Sequence, residues 1–271
     1  MLSITDKEYR QLSAFVKENY GINLKEEKKA LVSGRLHNLL VKNNFSNYSE
    51  YIKYVMEDKT GVAVAAFITK ITTNHTFFMR EADHFTYFKD VVLPYLKATV
   101  KNKDIRIWSA GCSSGEEPYT LAMIIDEFLG REKALWDSKV LATDISDKVL
   151  DSAKRGIYTN EGINTLPSAW KLNYFNKADN ERSTLLDRIR NEVIYRKFNL
   201  MDEPFPFKRK FHVIFCRNVM IYFDERTKCK MVDKFYDSME YGGYFFIGHS
   251  ESLNRQETRF KYVMPAVYRK E

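Results

Sequence analysis

The chain has 271 residues, 44% hydrophobic and 29% charged, with 43 Lys and Arg against 36 Asp and Glu for a net charge of +7. That is long enough for two hydrophobic cores, and no apolar run approaches the roughly 18 residues of a membrane span. The positive balance points to an anionic partner, whether nucleic acid, an anionic membrane surface or an acidic protein face, without choosing among them.

In chain order, the first hundred residues read as helices. The opening "MLSITDKEYRQL" is polar too early for a signal peptide's apolar region, so a cytoplasmic location is expected. Thr5 with Glu8 three residues later is a capping-box pattern, followed at helical spacing by Tyr9, Leu12, Phe15, Val16 and Tyr20, with Gly21 as the stop. A second helix carries Leu31, Val32, Leu36, Leu39 and Leu40; two more are expected around Tyr48 to Met56 and from Val62 to Ile71.

From Ile105 the pattern changes to short apolar runs separated by amphipathic stretches: "IRIWS", "KVLATD", "VIYRKF", "HVIFC", "YFFIG" and "YVMPAVY". Strand and helix in alternation predict βαβ units and a mostly parallel sheet, an α/β fold of the Rossmann-like kind. The basic, polar stretch Lys97 to Asp104 is the expected boundary, giving an all-α N-terminal domain at 1–97 and an α/β domain at 98–271. A polar interruption at about 156–192 reads as an insertion carrying a small subdomain or a mobile loop.

The first predicted strand of that domain runs into "SAGCSSGEEPYTLA". A strand-to-helix turn that lets a cofactor approach the backbone needs small residues, and Gly111 to Gly115 supply them. The spacing is not G-x-G-x-x-G, and the helix opens on Glu116 and Glu117, which would repel a phosphate. Two carboxylates suit a ligand carrying positive charge, such as the amino group or sulfonium of S-adenosylmethionine (SAM), and they complement the helix dipole. Asp144, at the end of the next strand, stands where an acidic residue accepts hydrogen bonds from ribose hydroxyls. The cysteines, Cys112, Cys216 and Cys229, lack the paired spacing of metal or redox motifs, so reduced thiols and no metal are expected.

Three further segments, "TTNHTFFMREADHF", "FHVIFCRNVMIYFD" and "GHSES", together with the glycine loop, closely resemble the chemotaxis receptor glutamate O-methyltransferases, the CheR family. The resemblance covers nearly the whole chain in the same order. It implies an N-terminal helical domain for receptor recognition, a SAM-dependent methyltransferase domain with an inserted β-subdomain, and methyl transfer from SAM to glutamate carboxylates on the cytoplasmic helices of chemoreceptors, with S-adenosylhomocysteine as product. Carried over residue by residue, it implies cofactor contacts at Asn74, Thr76, Arg80, Gly111, Glu117, Asp144, Asn199, Leu200, Arg217 and Asn218. It places Arg80 and Tyr222 closest to the transferring methyl and the substrate carboxylate.

A glutamate side chain, with a pKa of about 4.3, is already ionised at neutral pH, so the chemistry needs no general base. Consistent with this, no Ser-His-Asp or Cys-His arrangement stands out, and His249 reads as structural. Lys28, Arg35 and Lys42 recur every seven residues and form one stripe along the second helix. Family members use basic residues on this helix to read the receptor's methylation region, although Asn38 and Val41 stand where further arginines are expected. Family members that dock a receptor's C-terminal pentapeptide do so through a glycine-bearing loop; "FNKADNERSTLL" has no glycine, so no dependence on such a tether is expected. A monomer without nucleic acid or direct membrane insertion is expected. Two rival readings, a nucleic-acid methyltransferase and a SAM-binding protein without turnover, are answered in part by the missing aromatic and basic clustering of an RNA surface and by the intact Arg80, Asp144, Asn218 and Tyr222.

Overall fold

Helix periodicity and capping build the first unit. The computed structural model describes residues 3–72 and 75–271, and it divides into two compact units, of which the first comprises residues up to His75 together with Asn199–Met201 and Tyr222–Lys228. Helix α1 (Asp6–Tyr20) starts on a complete capping box. The Glu8 amide donates to Thr5 Oγ1 at 3.3 Å, and the Thr5 amide donates to the Glu8 carboxylate at 2.8 Å. Its buried face is Tyr9, Leu12 and Val16, at helical spacing. A 3-10 turn (Glu26–Lys28) leads into α2 (Lys29–Lys42), which buries Val32, Leu36 and Leu40. Helix α3 (Tyr48–Glu57) is capped by Asn47, whose side chain accepts from the Glu50 amide, and α4 (Val62–Ile71) completes the helical set.

The two distant segments are tied in by polar contacts at the end of α1. Asn199 Nδ2 donates to the Asn19 carbonyl at 2.8 Å, the Asn23 amide donates to the Tyr222 carbonyl at 2.8 Å, and Lys17 Nζ lies 2.7 Å from Asp224 Oδ2.

The second unit comprises Thr76–Phe198, Asp202–Ile221 and Cys229–Glu271. It begins with α5 (Ala82–Tyr87), a wider turn (Phe88–Val92) and α6 (Leu93–Thr99). The expected division at Lys97 is therefore misplaced: these elements put Phe85, Phe88, Val92, Leu93 and Leu96 into the same core as Ile107, Val140 and Val213. Residues 97–104 are polar because they cross the surface within one unit, not because they link two. Among the described residues no helix is long and apolar enough to cross a membrane.

The chain then alternates: β1 (Ile107–Ala110), α7 (Glu116–Leu129), β2 (Val140–Asp144) and α8 (Asp147–Arg155). The insertion carries β3 (Ile157–Thr159), α9 (Ser168–Tyr174), β4 (Phe175–Lys177), β5 (Arg182–Leu185) and α10 (Asp187–Arg190). Its strands form a separate antiparallel sheet in the order β3-β5-β4, so the polar "NKADNERS" is a hairpin connection, not a mobile loop. The main alternation resumes with β6 (Val193–Lys197), β7 (Phe211–Cys216), α11 (Glu225–Asp237), β8 (Met239–Ile247), β9 (Lys261–Met264) and β10 (Val267–Arg269).

The main sheet has the order β6-β2-β1-β7-β8-β10-β9. Its first five strands are parallel, and β10 runs antiparallel to both β8 and β9. "YVMPAVY" thus forms two strands, turned at Ala266, which has φ 61°. Trp108 on β1 sits under the sheet, donating to Thr143 Oγ1 at 2.9 Å and meeting Phe207, Phe211 and Phe235 at ring distances of 4.7 to 5.4 Å. Strand β1 is central, with β2 on one side and β7 on the other, so the order reverses at β1, where open parallel sheets bind ligands at the carboxyl ends of their strands.

Candidate active site

Five of the implied cofactor residues come together at that end of the second unit: Gly111 and Glu117 after β1, Asp144 at the end of β2, and Arg217 and Asn218 after β7. The glycine loop is shaped by backbone pairing. The amides of Gly111 and Cys112 donate to the Thr143 carbonyl at 2.8 and 2.9 Å, and the Ser113 amide donates to Asp144 Oδ2 at 2.9 Å. Gly111 and Gly115 have φ of +80° and +96°, where a side chain is strained. A Cβ on Gly115 would also lie 2.7 Å from Tyr195 Oη and 2.9 Å from Ala153 Cβ, so the loop rests closely on its floor.

Asp144 is the hinge of this arrangement. Its other oxygen accepts from the Ser146 amide at 3.1 Å, so it closes the turn before α8 as well as holding the loop. Burial pushes its pKa above the usual carboxylate value, against the pull of the Ser146 and Ser113 amides. A carboxylate has about four acceptor sites, which leaves capacity for a ribose hydroxyl. Cys112 lies beneath, and burial, with Asp144 and Glu117 nearby, pushes its thiol well up, so it is inert packing.

Glu116 and Glu117 do not act as a pair. Successive residues on a helix point about 100° apart, and here Glu116 is buried, with the Ser114 hydroxyl donating to its carboxylate at 2.8 and 2.9 Å. Glu117 accepts from Ser109 Oγ at 2.7 Å and from Arg217 Nη1 at 3.1 Å. Of the two carboxylates, Glu117 is thus paired with a buried guanidinium and Glu116 with a serine hydroxyl.

Arg217 is the centre of a network that sequence reasoning missed. Its side chain is 3% exposed and lies over the Phe85 ring at 5.1 Å. Besides Glu117 it donates to Glu81 Oε2 at 3.0 Å and to the Arg80 carbonyl. Glu81 also accepts from Asn218 Nδ2 at 3.3 Å and from the His249 amide at 3.2 Å, and Arg217 draws its pKa down against the effect of burial. Glu251 accepts from the amides of Gly248, Asn218 and Ile221 at 2.6, 2.8 and 3.1 Å, fixing the turn after β7 to the turn after β8. The signal lay in "READHF" and "GHSES", whose acidic residues are the hubs.

Side-chain atoms of Glu81, His84 and His249 lie within 4.8 Å of one another, a spacing compatible with a metal. A cation there would face the Arg217 guanidinium, already paired with Glu81. The cluster is better explained as a surface brace over the buried His84, with His249 bonded to Asp83 at 3.1 Å and the His84 and His249 rings edge to face at 4.6 Å.

Backbone strain marks the same place. Of the seven non-glycine residues with positive φ among the described residues, Met79, Glu81, Ser113 and Asn218 belong to this site, a concentration characteristic of functional turns. Arg80 sits between two of them, half-buried, its carbonyl held by Arg217. Thr76 lies in the irregular segment just before, and Asn74 falls outside the described residues.

The remaining implied residues belong to the first unit. Asn199 uses both ends of its amide on the protein, donating to Asn19 and accepting from the Met201 amide at 3.0 Å. Leu200 is its neighbour, and Tyr222 ends the 3-10 turn Met220–Tyr222. Of the basic stripe, Lys28 lies on the turn before α2 and Lys42 at its end, both exposed, while Arg35 donates to the Ile71 carbonyl at 2.8 Å and so closes α4.

These elements agree with known sequences. Residues 74–268 match the family described as CheR methyltransferase, SAM binding domain, and residues 7–72 match CheR methyltransferase, all-alpha domain. The chain is 43% identical over 272 residues to a chemotaxis protein methyltransferase of Borreliella burgdorferi, covering 99% of this chain and 96% of that protein. It is 35% identical to one of Vibrio parahaemolyticus (97% and 95%) and 33% identical to one of Escherichia coli (98% and 92%). With both family domains matched in order and the strained, small-residue loop in place at the switch point of the sheet, the chain belongs to the CheR family of SAM-dependent methyltransferases.

Proposed function

We propose that the protein methylates glutamate side chains on the cytoplasmic helices of chemoreceptors, forming glutamyl methyl esters, with S-adenosylhomocysteine as the second product. The observation that carries this reading is the loop from Gly111 to Gly115 bound to Asp144 at the sheet's switch point, joined to full-length similarity with chemotaxis protein methyltransferases. SAM supplies a methyl group on a positively charged sulfur. Gly111, whose missing Cβ makes room for Val219, lets the loop turn at φ +80°, Asp144 holds ribose, and Glu117 receives the amino group; the family resemblance adds Thr76, Asn74, Asn199, Leu200 and Asn218 as further cofactor contacts. Arg217 acts from behind, holding Glu117 and the Arg80 carbonyl in place.

The incoming glutamate is ionised at neutral pH, so the protein's work is to exclude water and align one carboxylate oxygen behind the methyl carbon. Arg80 and Tyr222 orient that carboxylate by donating hydrogen bonds; a full ion pair would weaken the nucleophile. With cofactor saturating, Tyr222→Phe and Arg80→Ala should each reduce turnover by about tenfold or more; wild-type turnover in both would remove them from the positioning role.

The helical N-terminal domain recognises the receptor. Lys28 and Lys42 face acidic receptor helices, with Arg35 contributing less because it also closes α4. The protein works as a cytoplasmic monomer without a receptor C-terminal tether. The deciding experiment incubates it with methyl-labelled SAM and the cytoplasmic fragment of a cognate chemoreceptor, then treats the product with mild alkali. Base-labile label on the receptor, released as methanol, supports the proposal; SAM binding without transfer would discard the substrate and leave a nucleic acid or a sensor role. A tight complex with a receptor pentapeptide in calorimetry would overturn the tether-free reading.

A further inference from the structure

Tyr158 belongs to β3 of the inserted sheet, yet its hydroxyl donates to the Ser114 carbonyl in the glycine loop at 2.8 Å. That carbonyl lies between Ser113, at φ 48°, and Gly115, at φ 96°, in a turn whose backbone is strained and has few alternative partners. The Tyr158 oxygen is also 3.0 Å from the position a Gly115 Cβ would take, so it supports the loop from below as well as bonding it. Burial, with Glu116 nearby, pushes the phenol well above its usual pKa, which keeps the hydroxyl a donor.

The same subdomain reaches the segment before Arg80. The Tyr158 ring meets Phe78 edge-on at 4.8 Å, Phe175 of β4 meets it at 5.9 Å, and Thr165 Oγ1 donates to the Phe78 carbonyl at 3.1 Å. Two of the chain segments proposed to touch the cofactor are thus held by the inserted subdomain.

We propose that Tyr158 is a positioning residue for cofactor binding: it carries the inserted subdomain's order to the glycine loop, so that the cofactor site and the β3-β5-β4 sheet stiffen together. This rests on the reading that the cofactor lies against the Gly111–Gly115 loop. A ligand that orders the loop must then order β3, and loosening β3 must weaken the ligand, because the coupling between two sites is reciprocal.

The test uses S-adenosylhomocysteine as the calorimetric probe on the full chain. Tyr158→Phe, which removes only the hydroxyl, should weaken binding by about five- to tenfold, the effect of one lost hydrogen bond. Turnover at saturating SAM should stay within about twofold, because the loop reaches the same bound shape. Tyr119→Phe is the control: its hydroxyl donates to the Ala153 carbonyl at 2.8 Å, deep in the same cluster but not to the loop, and should leave affinity within about twofold. Hydrogen exchange gives a second readout: the probe should slow exchange in β3 and β5 of the wild type and not of Tyr158→Phe. Wild-type affinity in Tyr158→Phe, equal weakening in both variants, or unchanged β3 exchange would overturn the inference. Asp144→Ala separates the two levels: if it binds the probe as wild type does, the loop is not the site and the underlying reading falls; if it alone loses binding, only the role of Tyr158 falls.

Discussion

Single residues in this protein gain their meaning from what surrounds them. Gly115 shows this most directly: both its φ of +96° and the 2.7 Å approach of Tyr195 Oη forbid a side chain. Gly115→Ala should cost about 2 kcal/mol or more in urea unfolding and abolish measurable SAM binding. His84 makes a pH-dependent contribution. It is fully buried, and burial, assisted by Arg217, depresses its pKa from 6.5 to about 4 in spite of Asp83 and Glu81. Between those values the unfolded chain binds the extra proton, so the contribution of neutral His84 is present above about pH 6.5 and lost as pH falls towards 4. It amounts to about 3 kcal/mol, and His84→Phe should remove that part of the acid slope in unfolding measured at pH 7, 5.5 and 4.5. Glu81 and Arg217 illustrate the limit of reading residues singly: the motif containing them was visible, but the pairing, 136 positions apart in sequence, was not.

At the scale of elements, local rules were enough wherever the controlling contacts were local. The capping box predicted at Thr5 and Glu8 is formed, and Thr5→Ala should lower stability by about 1 kcal/mol, with faster amide exchange confined to the first turn of α1. Helices α3 and α4 begin where their patterns placed them. The stretch that forms α5 and α6 fell within the first hundred residues read as helical, but its assignment to the N-terminal domain failed, because a helical reading does not show which core an apolar face joins. "YVMPAVY" read as one apolar strand for a related reason: composition does not reveal that Ala266 adopts positive φ and folds the segment back. The insertion was legible as an interruption, yet the pairing of β3 with β5 and the reach of Tyr158 to Ser114 join segments more than twenty residues apart.

For the whole molecule, the proposed recognition of acidic receptor helices gives the net charge of +7 its expected role, in association. Raising salt from about 0.1 to about 1 M shortens the screening length from about 10 to about 3 Å. The KM for a receptor fragment should therefore rise by severalfold over that range while kcat and the SAM dissociation constant change little, as steady-state kinetics would show. An unchanged KM would remove charge from the recognition step. The sequence by itself determined the family, the small-residue loop, the alternation of strand and helix and the starts of α1, α3, α4 and α7, since each depends on residues close together in the chain. Tertiary structure alone decided where the two units divide, why Glu116 and Glu117 have different tasks, that Arg217 is buried between Glu81 and Glu117, and that the inserted sheet braces the loop. Those outcomes follow from contacts between distant segments competing for the same buried charge and carbonyl groups, which no local pattern encodes.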